Sequence, residues 1–250
     1  MFSLEGRVAF VTGSSTGLGR WMAMSLGAAG AKVAMNYYNN EARADAAFAE
    51  FKAAGYEGVM LRGNVTEEAE VNRMVGEIGD TLGGVDILVP NATPAQPQMP
   101  IEEYTWDFYQ SMLDFFIKSP YLLTRACLPH MKAQRWGRII NIGSEVFQEG
   151  VAPFSAYVSA KGGQCGLSRS LATELAPWEI TVNTVSPGWI PVERHENDPQ
   201  DLKDGYLADL PMKRWGVPKE VADTVTFLAT NEASYVSGQN ICVNGAHTVA

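Results

Sequence analysis

Cysteine and histidine are both scarce in this chain, three of each among 250 residues. Cys127, Cys165 and Cys242 are odd in number and show no C-x-x-C spacing, which excludes a disulfide framework and marks them as reduced packing residues. His130, His195 and His247 are scattered, so no zinc or haem site is expected. No apolar run approaches membrane-spanning length, and no basic segment followed by a long apolar one opens the chain, so a cytoplasmic location is expected. Positive charge is in deficit: 19 Lys and Arg against 28 Asp and Glu leave a net charge of −9. That balance disfavours nucleic acid and anionic membrane as partners and leaves a small molecule as the expected one. Low-complexity sequence, linkers and fixed-period repeats are also missing.

What is present is a core-forming composition, 46% apolar and 19% charged. Short β-rich runs at 7–11, 32–37, 59–62, 87–89, 138–142, 181–185 and 241–243 alternate with helical patterns at 18–28, 41–54, 67–82, 106–134 with a break, 155–175 and 218–229. This alternation predicts one α/β domain over 1–250, a doubly wound parallel sheet of Rossmann-like type. Its ligand belongs at the C-terminal strand ends. A polar segment at about 189–210 interrupts the alternation and is expected to form a substrate-covering flap.

Two constellations carry chemistry. After the first strand comes Thr12-Gly13-Ser14-Ser15-Thr16-Gly17-Leu18-Gly19, a glycine-rich turn that opens a helix and points backbone N–H groups at an anion, most naturally a dinucleotide pyrophosphate. Later come Ser144, Tyr157 and Lys161. The last two, four apart on a helix, project from one face, so the ammonium is expected near the phenol. An unperturbed phenol, pKa ~10, is a poor acid or base at neutral pH, and a tenfold gain in its acidity takes about 1.4 kcal/mol of selective stabilisation of the phenolate. Ser144 would donate a hydrogen bond to a carbonyl or alkoxide oxygen.

With these residues the chain resembles the short-chain dehydrogenase/reductase family, in particular its glucose dehydrogenases and 3-oxoacyl carrier-protein reductases. The likeness runs from Leu4 to the segment ending Val243-Asn244-Gly245. It implies hydride transfer between a nicotinamide and a secondary alcohol or ketone, with Ser144, Tyr157 and Lys161 catalytic. The cofactor would lie along Thr12, Gly13, Ser15, Thr16, Gly17, Leu18 and Gly19. It would continue past Asn36, Tyr37, Asn64 and Val65, then Asn91 and Ala92, and end at Tyr157, Lys161, Pro187, Gly188 and Ile190. Substrate contacts are expected from Glu145, Phe147, Trp189 and His195, and the substrate is either a sugar or polyol, or a 3-oxoacyl compound. A homo-oligomer, a tetramer by resemblance, is expected too.

The sequence also departs from the family pattern. Phe116 stands where the catalytic asparagine is usual, Asn64 where an aspartate contacts adenine, and Val192 where a threonine meets the carboxamide. Pro90-Asn91-Ala92-Thr93 lacks the usual final glycine. These changes keep open a second reading, a weakly active cofactor-binding regulatory protein. At the end of the second strand, Asn36-Tyr37-Tyr38-Asn39-Asn40 contains neither the acid that would repel a 2′-phosphate nor a base to bind one. The missing acid favours NADP(H) over NAD(H).

Overall fold

The computed structural model describes residues 2–249. Seven parallel strands form one sheet in the order β3-β2-β1-β4-β5-β6-β7: β1 Val8–Val11, β2 Lys32–Tyr37, β3 Gly58–Arg62, β4 Ile87–Val89, β5 Gly137–Ile142, β6 Ile180–Pro187 and β7 Asn240–Val243. The chain winds outward from β1 to β3, then returns to start β4 on the other side of β1. This reversal opens a crevice at the C-terminal ends of β1 and β4.

Alternation along each strand divides the core. Ala9, Val11, Val33, Met35, Ile87, Val89, Ile140 and Ile142 face a layer made by α1 (Gly17–Ala28), α2 (Glu41–Ala53) and α9 (Pro218–Ala229). Val8, Phe10, Ala34, Leu88 and Ile139 face the opposite layer, made by α3 (Glu68–Leu82), α5 (Ser119–Gln134) and the C-terminal part of α7 (Ser155–Leu175). Strands buried on both faces are why their sequences read as continuous apolar runs. A third cluster joins α4 (Trp106–Leu113) to the first turns of α7 through Met112, Phe116, Phe154 and Tyr157.

Two expected elements differ. The break in the 106–134 helix is a π-helical segment, Asp114–Lys118, which carries the helix on without a gap while shifting its register. The polar stretch at 189–210 is not a plain loop: it contains a 3₁₀ turn, Glu193–His195, and helix α8, Gln200–Asp209. No residue of either is buried, so neither offers the apolar periodicity by which a helix is read from sequence.

Candidate active site

The glycine turn is built by close approach. Gly13 has φ +62°, and a Cβ there would lie 2.7 Å from Ala92 Cα; at Gly19 it would lie 2.4 Å from the Gly13 carbonyl oxygen. Either side chain would push the turn off the strand ends. Thr12 and Asn91 brace it across β1 and β4. The amides of Asn91 and Ala92 donate to Thr12 Oγ1 at 2.9 and 3.0 Å, and Asn91 Nδ2 donates to the Thr12 and Gly13 carbonyls. Asn36, only 2% exposed, accepts from the Gly13 amide and donates to the carbonyls of Leu61 and Gly63, so its side chain is a brace for the turn and not a free group at the cleft. Asn64 Oδ1 likewise accepts from Thr66, forming a local turn beside buried Val65. Ser15 is buried in the turn, Thr16 and Leu18 are half-buried, and Tyr37 is half-buried at the end of β2.

Ser144 follows β5, and its loop is pinned along β6 by Gly143 N–H to the Val185 carbonyl and Glu145 N–H to the Pro187 carbonyl. Tyr157 and Lys161, on α7, are both buried. Lys161 Nζ donates to the Ile142 carbonyl at 2.5 Å and to Gln164 Oε1, which ties α7 to the strand end just before Ser144. Its ammonium also sits 3.9 Å over the Phe116 ring and 5.6 Å from the centre of the Tyr157 ring. Phe116 closes the group by meeting Tyr157 edge to face, centroids 5.2 Å apart.

Burial dominates the electrostatics. It raises the Tyr157 phenol, against lowering by Arg194 and by the Ser144 hydroxyl. It pulls Lys161 down to about 7, with Cys165 opposing and Arg194 adding to the fall. Arg194, a flap residue, thus acts on both groups. Ser111, a hydroxyl one helical turn and a residue before Phe116, donates to the Phe108 carbonyl of its own helix.

The flap runs from Pro187 and Gly188, at the end of β6, through buried Ile190. It folds onto the glycine turn: Glu193 Oε2 accepts from the Gly17 N–H at 3.1 Å, at the N-terminus of α1. Trp189 packs among His195, Tyr206 and Trp215 rather than standing free, and its amide donates to the Tyr206 hydroxyl. The His195 ring nitrogens face Val192 N–H and Arg194 Nε, and burial lowers its pKa. Glu145 turns toward Tyr206, which donates to it at 2.6 Å, and toward His247. Of the four expected substrate residues, Phe147 is the most exposed, at 38%; its ring lies over Gly162 of α7. The sequence held no sign of the Glu193 or Arg194 geometry, because both depend on how the flap folds back.

Two recesses lie apart from Ser144, Tyr157 and Lys161, none of which lines either. One, of about 480 Å³, is bounded by Tyr38, Arg62, Glu70 and Arg73 beyond β2 and β3. The other, of about 370 Å³, lies under the flap between Trp189, Tyr206, Leu210 and Val243. Among the described residues no helix is long and apolar enough to cross a membrane.

Residues 13–248 match the family model described as enoyl-(acyl carrier protein) reductase. The chain is 39% identical over 239 residues to the 3-oxoacyl-[acyl-carrier-protein] reductase FabG of Staphylococcus epidermidis, covering 95% of this chain and 97% of that one. It is 38% identical over 243 residues to the FabG of Salmonella typhimurium, covering 97% and 98%. A crystal structure from Agrobacterium tumefaciens, named as a candidate gluconate dehydrogenase, superposes with a TM-score of 0.94 at 34% identity, covering 100% of this chain and 99% of that one.

Proposed function

The chain belongs to the short-chain dehydrogenase/reductase family, and from that premise we propose that it interconverts a ketone and a secondary alcohol with Tyr157 as the proton-transferring residue. The observation that carries this reading is the convergence of Ser144, Tyr157 and Lys161 at the strand ends beside the glycine turn, held by the Lys161 to Ile142 bond.

The turn fits a nicotinamide dinucleotide. A carboxylate, that of Glu193, already occupies the N-terminus of α1 on the Gly17 N–H, which marks this point as an anion position. Gly13, Gly17 and Gly19 would approach the pyrophosphate, Asn64 and Val65 the adenine, and Ala92, Pro187, Gly188 and Ile190 the nicotinamide end. Bound there, the dinucleotide supplies or accepts the hydride.

Tyr157 would give its proton to the forming alkoxide in reduction and take it back in oxidation, with Ser144 holding the same oxygen. Lys161, buried beside the Tyr157 ring, would favour the phenolate whenever it carries its proton. Phe116 would exclude water from the phenol on its helix side.

NADP(H) is the cofactor we favour. Residues 36–40 carry no acid, and Arg62 Nε donates to the Tyr38 carbonyl at 3.3 Å, which brings a cation beside the segment that would meet a 2′-phosphate. For the substrate, a 3-oxoacyl compound and a sugar acid are the two classes that the relatives' names supply. Arg194, acting on Tyr157 and Lys161, favours a substrate bearing a carboxylate or phosphate. Exposed Trp106 on α4 and Tyr121 on α5 offer the faces on which a homo-oligomer would form.

Calorimetric titration with NADPH and NADH, followed by turnover assays on 3-oxoacyl thioesters and keto-sugar acids, tests the reading. Tight NADPH binding with turnover supports it. Binding without turnover on any carbonyl substrate would favour a regulatory role, and failure to bind either nucleotide would overturn both.

A further inference from the structure

Glu145 and Glu149 bracket the short helix α6, Val146–Glu149, that follows Ser144, and His247 comes from the C-terminal segment after β7. The fold brings them together. His247 Nδ1 lies 3.3 Å from Glu145 Oε2 and 3.2 Å from Glu149 Oε1, and the three atoms are all within 4.8 Å of one another. Glu145 is 3% exposed, and both its Oε2 and His247 Nδ1 are buried without a hydrogen-bond partner. Tyr206 explains the orientation: its hydroxyl donates to Glu145 Oε1 at 2.6 Å, which fixes the carboxylate and leaves the lone pairs of Oε2 aimed at the imidazole. At these distances the imidazole can pair with the carboxylates only when protonated, whereas a neutral imidazole facing two carboxylates is suited to share a cation with them.

We propose that Glu145, Glu149 and His247 form a site for one divalent transition-metal cation, with Zn²⁺ the best match. Two carboxylate oxygens and an imidazole nitrogen are donors that Zn²⁺ takes at about 2.0–2.2 Å, and ligands at that range in tetrahedral or octahedral arrangement stand about 3.0–3.5 Å apart. The His247 distances to both carboxylates fall within this interval. Hard cations such as Mg²⁺ prefer all-oxygen sets and fit less well. The remaining coordination positions would hold water. Tyr206 serves as the outer partner that orients a ligand carboxylate.

The ion would tie the segment after Ser144 to the C-terminal segment. Through Tyr206, which also accepts the Trp189 amide, it would fasten the base of the flap. The site does not depend on the proposed reaction, since none of its three ligands carries the proton transfer. The scattered histidines of the sequence conceal it, because residues far apart along the chain meet only in the folded state.

The test is metal uptake by the intact chain after treatment with a chelator and dialysis. Titration calorimetry with ZnCl₂, with elemental analysis of the dialysed protein, should give one zinc per chain, and bound zinc should raise Tm. Glu149→Gln and His247→Gln should each weaken zinc binding at least tenfold and abolish most of the Tm rise. Glu149 sits at the exposed end of α6, so its variant keeps the test valid if the His247 variant does not fold, folding being checked by circular dichroism. Absence of stoichiometric zinc uptake by the wild-type chain would overturn the proposal. So would uptake by correctly folded Glu149→Gln equal to that of wild type.

Discussion

The carboxylate of Glu193 accepts a hydrogen bond from the Gly17 amide at 3.1 Å, so the flap is anchored on the first turn of α1, where a dinucleotide's pyrophosphate would bind. Arg20, in the same helix, stands 3.8 Å from that carboxylate and also pairs with Glu50. A cofactor must displace Glu193 from Gly17 or bind beside a like charge.

Removing that charge should therefore tighten cofactor binding. Glu193→Gln is expected to lower the Kd for NADPH about two- to fivefold, corresponding to a helix-end charge effect of roughly 0.3–1 kcal/mol. Calorimetric titration of the two proteins at low ionic strength checks it; an equal or higher Kd in the variant would show that Glu193 does not compete with the cofactor.

Tyr157→Phe removes the hydroxyl and keeps the ring that packs on Phe116 and Phe154. Loss of general acid–base catalysis should lower kcat by about 10²–10⁴-fold, with nucleotide affinity nearly unchanged. Steady-state kinetics beside a binding titration separate the two. A variant retaining more than a tenth of wild-type kcat would reassign the proton transfer.

Lys161 links stability to pH. Burial holds its pKa at about 7, below the ordinary lysine value, so the unfolded chain binds more protons than the folded one between about pH 7 and pH 10.5. The burdened state is the protonated one. Its penalty is complete below about pH 7 and is relieved as pH rises toward 10.5. The stability of wild type relative to Lys161→Met should thus increase over that interval, as read from urea unfolding at several pH values. A difference independent of pH would mean that Lys161 titrates near its ordinary value.

Arg194 lowers the Tyr157 phenol pKa from the flap. Arg194→Gln should move the phenol upward and carry the alkaline limb of the pH profile of kcat/KM in the same direction. An unmoved limb would indicate that Arg194 acts on substrate binding alone.

Phe116 is 2% exposed, within the π-helical segment, and covers both Tyr157 and Lys161. Phe116→Ala should destabilise the chain by about 3–5 kcal/mol, as for other large buried aromatic truncations. Chemical denaturation measures it, and a loss under about 1 kcal/mol would show that the site collapses around the vacancy.

The strands were legible because burial on both faces writes them as apolar runs, and their observed limits differ from the sequence reading by at most a couple of residues at either end. The glycine turn was legible for a related reason. Gly13 and Gly19 stand where a Cβ would collide with backbone, a requirement so strict that it leaves its mark on the sequence. Helix α8 left no such mark, since its residues are all at least partly exposed and its polar surface matches that of a loop.

Side-chain direction was a different matter. The i,i+4 spacing of Tyr157 and Lys161 correctly places both on one face of α7, but the spacing does not say which neighbour the ammonium chooses; the Ile142 carbonyl and the Phe116 ring, brought in by β5 and the π-segment, decide that. The sequence places Asn36 along the cofactor, but only the sheet shows that its side chain is engaged by the Gly13 amide and the Leu61 and Gly63 carbonyls.

By itself the sequence determined the doubly wound architecture, the glycine-rich turn after β1 and the placement of Tyr157 and Lys161 on one face of α7. Periodicity, backbone sterics and helical spacing are local properties carried by neighbouring residues. Only the tertiary structure decided that Glu193 closes on Gly17, that Arg194 acts on the phenol, and that His247 meets Glu145 and Glu149. Each of these joins segments far apart along the chain, and their meeting is set by the packing of the whole sheet and flap.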